Sequence, residues 1–107
     1  NGMRQALEKT KGLTAVFAMA DVIAIGAIRA LFDEGLRVPE DISVVGYDGL
    51  RIGDFYVPKL TTISQSVELL AKCSFELLIS CMQGAPAQHL TVPFRLLRRQ
   101  SVRQITE

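Results

Sequence analysis

Two short apolar runs, residues 14–19 and 42–47, bracket a segment with helical periodicity. Neither run alternates apolar with polar positions, and each carries β-branched or aromatic members. Runs of this kind suit strands covered on both faces, as in a parallel sheet. Asp21 after the first run predicts an N-cap, its carboxylate accepting from the free N–H groups of the first turn. Residues 22–34 then predict a helix. Ile25, Ile28 and Phe32 line one stripe of it, while Ala24, Ala27 and Ala30 keep neighbouring faces slim. Gly26 costs helix propensity and so predicts a close packing contact, and Gly35 falls where a left-handed residue ends a helix. Strand, helix and strand within about 35 residues make a βαβ unit, with a right-handed crossover expected. Sheets of this type bind ligands in the crevice beyond the carboxyl ends of their strands. Those ends carry Ala20-Asp21 and Asp48-Gly49, so an acid stands at each.

On either side of this unit the patterns are simpler. Residues 3–9 favour helix, stopped by Gly12, and residues 60–63 predict a brief extended stretch. Residues 66–83 predict a long amphipathic helix with Val67, Leu70, Leu77, Leu78 and Cys81 on one face. Phe75 and Ile79 widen its apolar stripe beyond what one small lobe needs, and Glu68 with Lys72 predicts an i,i+4 pair on the solvated side. Leu90, Val92, Phe94 and Leu96 alternate as one face of a strand. Cys73 and Cys81 lie on the same helix, about 12 Å apart at its usual rise. That spacing is too wide for a disulfide, which leaves buried thiols in a reducing compartment as the expectation.

Composition narrows the function classes. With 107 residues, 49% hydrophobic and 21% charged, the chain has enough apolar surface to fold as one small domain or part of a larger one. A net charge of +1 gives no broad basic field for nucleic acid or a membrane surface. Apolar runs break well short of the ~20 residues that span a bilayer. The opening Asn1-Gly2-Met3-Arg4-Gln5 reads as the interior of a longer chain without a secretory leader, and a cytoplasmic location is expected. His89 is alone, so no metal-ligand cluster forms around it, and no nucleophile stands at a recognisable spacing from a base. No phosphate-cradling glycine loop or Cys-x-x-Cys is present. The expectation is a non-enzyme without metal or cofactor. Arg95, Arg98, Arg99 and Arg103 predict a solvated strand edge that discourages aggregation.

Three stretches, taken in order, carry a resemblance. Thr14-Ala15-Val16-Phe17-Ala18-Met19-Ala20-Asp21 through Ala24-Ile25-Gly26-Ala27 is one. Gly35-Leu36-Arg37-Val38-Pro39-Glu40-Asp41-Ile42-Ser43-Val44-Val45-Gly46-Tyr47-Asp48 is the second, and Pro58-Lys59-Leu60-Thr61-Thr62-Ile63 the third, with a weaker Arg99-Gln100-Ser101 ending. Together they resemble the C-terminal hallmarks of the LacI/GalR transcription regulators over nearly the whole chain.

The resemblance implies an α/β chain that is a fragment of a two-lobed periplasmic-binding-protein-like fold. It would be mainly the C-terminal lobe, with a parallel sheet flanked by helices. Residues 1–60 and about 88–107 would form that lobe. Residues from about 61 to 87 would pack on an N-terminal lobe, and the DNA-binding headpiece would be absent. It further implies a small-molecule effector, a sugar or sugar derivative, contacted by Asp48 with Ala20 and Asp21 beside it. Most family members have Asn where Ala20 stands, so one polar anchor is missing here and a bulkier or flatter ligand has room. Ile25, Ile28 and Tyr56 match positions of the family's homodimer contact, with ordinary core packing as the alternative for the two isoleucines, and DNA would be reached only through the headpiece. The alternative is a periplasmic-type sugar-binding transport protein of the same overall fold. A phosphoacceptor receiver domain would need an acidic pair after the first strand and a later lysine, and neither is found.

Overall fold

The computed structural model describes residues 2–105. In chain order the elements are α1 (Gly2–Lys9), β1 (Ala15–Phe17), α2 (Asp21–Asp33), β2 (Ser43–Val45), α3 (Ile52–Phe55), β3 (Thr62–Gln65), α4 (Val67–Met82) and β4 (Phe94–Leu97). They fall into two compact units, Asn1–Ser64 with Leu96–Glu107, and Gln65–Arg95.

In the first unit β1 and β2 pair in parallel, Val16 opposite Val44, and α2 is the crossover between them. Parallel bridges Val45–Thr61 and Asp48–Ser64 then lay the chain from Thr61 onward beside the end of β2. β3 and β4 are neighbours in a second two-stranded sheet. The α/β architecture with a parallel sheet and flanking helices is therefore present.

Leu31, Val44 and Leu60 form the fully buried centre, joined by Ala24, Ala30, Ile28, Ile42 and Met3 of α1. The buried face of α2 differs from the expected stripe. Ala24, Ala27, Ile28, Ala30 and Leu31 point inward, whereas Phe32 is 70% exposed. Small alanine side chains let the helix backbone lie close to a narrow sheet, and the bulkier Phe32 is left on the rim. Gly26 has nothing within 4 Å of where a Cβ would stand, so no close contact explains it. β1 has β2 on one side only and is not covered on both faces: Ala15 and Phe17 are exposed. Gly35 does adopt a positive φ of 79° just after α2, which lets the chain turn back toward β2.

The C-terminal tail is tied into this unit by two arginines, although Arg99 alone of the four C-terminal arginines is half-buried and Arg103 stays exposed. Arg99 donates from Nη1 to the carbonyl of Leu60 (3.1 Å), and Arg103 from Nε to that of Glu40 (2.8 Å). Arg95 and Arg98 stay exposed.

In the second unit Ser66 caps α4 by accepting from the backbone N–H of Leu69 at 3.2 Å. No residue of α4 is buried, and Val67, Phe75, Leu78 and Met82 are all exposed. Cys81 is exposed and Cys73 half-buried, which corrects the expectation of two buried thiols. Glu68 and Lys72 form none of the ion pairs found among the described residues. The strand around Phe94 is shorter than its alternation suggests, because Leu90 and Val92 lie outside β4.

Candidate functional site

The carboxyl ends of β1 and β2 meet at a turn built from Tyr47, Asp48, Gly49 and Leu50. Several of its backbone groups have partners elsewhere in the fold. The N–H of Gly46 donates to the carbonyl of Thr61 (3.0 Å), and the N–H of Asp48 to that of Ile63 (3.0 Å). The carbonyl of Tyr47 accepts from the N–H of Asp21 at 2.8 Å. Beyond Asp48, the N–H of Gly49 donates to Thr62 Oγ1 (3.3 Å) and that of Leu50 to Asp21 Oδ2 (2.7 Å). The Thr62 hydroxyl in turn donates to Asp21 Oδ1 at 2.6 Å.

Asp21 is thus not the N-cap of α2. Ala20 holds that position in extended conformation and makes no side-chain capping bond. Asp21 is the first helical residue and is completely buried. Burying a carboxylate is costly unless it is well hydrogen-bonded. Here the Leu50 N–H, the Thr62 hydroxyl and the N-terminus of α2 supply that compensation. The turn won the carboxylate because its N–H groups lie beside Asp21 in the fold, a proximity that sequence spacing does not show.

Asp48 stands apart from this buried pair. Its side chain is exposed, and its φ of 134° is one that residues other than glycine rarely adopt. Strain of this kind persists only where surrounding structure over-determines it, and it clusters at ligand sites. Two glycines make the turn possible. A Cβ on Gly46 would run into Asp21 Oδ1, and one on Gly49 would stand 2.6 Å from the Cβ of Ser64. Gly49 also has a φ of 78°.

Of the residues singled out by sequence, Ala20, Asp21 and Asp48 come together at these strand ends. Ala20 is half-buried and presents only a methyl group. Ile25 and Tyr56 are half-buried and pack against the core, and Ile28, 5% exposed, belongs to it. Ile28 and Tyr56 nevertheless line a groove of about 550 Å³ with Phe32, Val57 and Pro58. Ile25 is not among its lining residues. Sequence reasoning missed Thr62, whose signal was a second threonine in an otherwise apolar extended stretch, and Phe32 and Val57 on the groove. Among the described residues no three His, Cys, Asp or Glu side chains are grouped to hold a metal ion. Among those residues, too, no helix is long and apolar enough to cross a membrane.

A family profile described as a periplasmic binding protein-like domain matches residues 2–102. The HTH-type transcriptional regulator MalR of Clostridium butyricum is 40% identical over 100 residues, which are 92% of this chain and 30% of that protein. Among solved structures, the lac repressor dimer bound to operator and the anti-inducer ONPF superimposes with a TM-score of 0.84 at 37% identity, covering 94% of this chain and 36% of that one. The chain belongs to the LacI/GalR family, within the periplasmic binding protein-like domains. The transcriptional regulator CelR in complex with cellobiose also matches, with a TM-score of 0.85 at 33% identity over 92% of this chain and 31% of that one. The chain spans about 30% of the length of the curated relatives it matches. These LacI/GalR relatives are transcription regulators.

Proposed function

We propose that this chain is the effector-sensing and dimerisation portion of a LacI/GalR-type transcription regulator, working without catalysis. A small molecule, a sugar or sugar derivative, binds at the strand ends against Asp48, and its binding changes operator affinity through a helix-turn-helix headpiece of the same polypeptide. The observation that carries this reading is the exposed Asp48 carboxylate on a strained turn held from both sides. An ionised carboxylate is an acceptor that can take two adjacent hydroxyls, the pattern a pyranose or furanose presents. The cellobiose bound by CelR supports a sugar-like ligand for this fold. Ala20, with no side-chain donor or acceptor, widens the site next to that acid and favours a ligand larger than a simple monosaccharide.

In this reading residues of the first unit make up most of one lobe, and α4, with no buried side chain, packs on a second lobe. The groove of Ile28, Phe32, Tyr56 and Val57 receives a second copy of the chain, as suits a regulator of paired half-sites. The protein then works in the cytoplasm, where its operator is. Calorimetric titration of the whole regulator with mono- and disaccharides tests the proposal. Binding that is lost in Asp48→Asn supports it, whereas sugar binding untouched by that change places the effector elsewhere.

A further inference from the structure

The turn carrying Asp48 is fastened by a residue that cannot itself reach a ligand. We infer that Asp21, acting through Thr62, is a positioning residue for the Asp48 carboxylate, an inference that rests on the effector site proposed above. Both N–H groups that follow Asp48 end on this pair, Gly49 on Thr62 Oγ1 and Leu50 on Asp21 Oδ2, while the Thr62 hydroxyl closes the triangle onto Asp21 Oδ1. Asp21 and Thr62 are both completely buried, so neither touches a ligand in the crevice. The arrangement ties three separate places together: the start of α2, the turn after β2, and the first residue of β3. The hydrogen bonds run to two completely buried side chains, where water does not compete for them, so this fastening is stiff. A rigid acceptor loses less entropy when a ligand arrives, which is how a buried residue raises affinity without contact.

The tie also explains why Asp48 tolerates a φ of 134°. With the N–H of Asp48 fixed to Ile63 and the next two N–H groups fixed to Thr62 and Asp21, the residue between them has little freedom to relax. Release of the pair would let the turn relax to an ordinary φ and swing the carboxylate off its hydroxyl partners. Thr62 lies at the start of the strand by which the chain leaves the first unit, so the same contact holds the ligand turn to that strand.

The experiment compares Thr62→Val, Thr62→Ser and Asp21→Ala in the whole regulator. It reads amide hydrogen exchange in the 47–52 segment, exchange in α2 as a check on folding, and cellobiose affinity by calorimetry. Thr62→Val keeps the volume of the buried side chain but removes its hydroxyl, so it carries the test if Asp21→Ala fails to fold. The expected result is exchange at Gly49 and Leu50 faster by about tenfold or more, with α2 unchanged and cellobiose affinity about tenfold weaker. Thr62→Ser, which keeps the hydroxyl, should match the parent protein in both. Unchanged exchange at Gly49 and Leu50 in Thr62→Val overturns the inference whatever the sugar result. So does faster exchange with unaltered affinity in a parent that binds cellobiose. A parent that binds neither cellobiose nor any other sugar instead sinks the proposed effector class, and the exchange data still decide whether the pair fastens the turn.

Discussion

Val44 and Ser101 exchange two hydrogen bonds, the N–H of Val44 donating to the Ser101 carbonyl at 2.9 Å and the Ser101 hydroxyl donating to the Val44 carbonyl at 2.5 Å. The same hydroxyl oxygen accepts from the N–H of Thr61 at 2.8 Å, and both Ser101 and Val44 are fully buried. One serine therefore adds a second link between β2 and the segment leading into β3, beside their direct Val45–Thr61 bridge. Ser101→Ala leaves the Thr61 N–H and the Val44 carbonyl short of a partner in a dry site. The expected cost is about 1–3 kcal/mol, read as a lower urea midpoint at unchanged slope. A loss within about 0.5 kcal/mol, the usual range of surface changes, would mean that water replaces the hydroxyl.

Gly49→Ala should be more damaging to binding than to folding. Its φ of 78° and the approach of Ser64 to within 2.6 Å of a new Cβ both oppose the change. The turn is at the surface and can give way locally, so the predicted stability loss is about 1–3 kcal/mol. If a sugar binds at Asp48 as proposed, its affinity should fall further than Asp48 strain alone requires, because the Gly49 N–H leaves Thr62. Reducing the clash with a second change, Ser64→Gly, should recover part of the lost affinity. The measurement is a calorimetric comparison of the two variants with the parent.

Asp41 gives a pH signature. The Arg37 side chain donates to its carboxylate from Nε at 3.2 Å and Nη2 at 3.3 Å, and the Arg37 backbone N–H donates at 2.8 Å. These bonds, the side-chain pair first, hold the Asp41 carboxyl below its usual value of 3.8. A carboxyl whose folded pKa is depressed adds stability that is present above the unfolded value and disappears as pH falls through the folded one. The parent should therefore be more stable than Asp41→Asn at about pH 6, with the gap narrowing at about pH 2. The exposed position of the pair keeps the gap small and sensitive to salt. Denaturation midpoints at the two pH values, with and without added salt, give the answer.

Periodicity and turn chemistry made the βαβ unit legible, because strand length, helix length and Gly35 are local properties. The parallel pairing of β1 with β2 was expected, but the absence of alternation behind that expectation overstated the cover, since Ala15 and Phe17 of β1 are exposed. What the local pattern could not show was which face of α2 turned inward: alanines and leucine compete with isoleucine and phenylalanine for the sheet, and a narrow sheet favours the small side chains. Asp21 illustrates the same limit at the site. Its position before a helix suggested a cap, yet the partners that claimed it, Leu50 and Thr62, are 29 and 41 residues away. The position of Asp48 just past a strand was readable from the apolar run 42–47, while its unusual backbone angle was not, since nothing in the side chain demands it.

Phe32 decides the last prediction. It is 70% exposed, its ring lies 5.7 Å from the Arg29 guanidinium carbon, and it borders the groove with Ile28, Tyr56 and Val57. A large aromatic in the open beside a concave apolar surface is the composition of a subunit contact, where aromatic and Arg side chains are enriched. Phe32 contributes little to the core of its own chain, so Phe32→Glu should leave the thermal midpoint of a dilute sample nearly unchanged. If a second copy occupies the groove, the charge must either be desolvated or expel the partner. Sedimentation velocity of the whole regulator should then show the dimer constant weakened by about a hundredfold, the effect of a lost hot spot worth ~2–3 kcal/mol. Tyr56→Ala should act in the same direction and by a comparable amount, because it borders the same groove. A Phe32→Glu protein that remains as tightly paired as the parent would move the subunit contact to another face and leave the groove without a role in assembly.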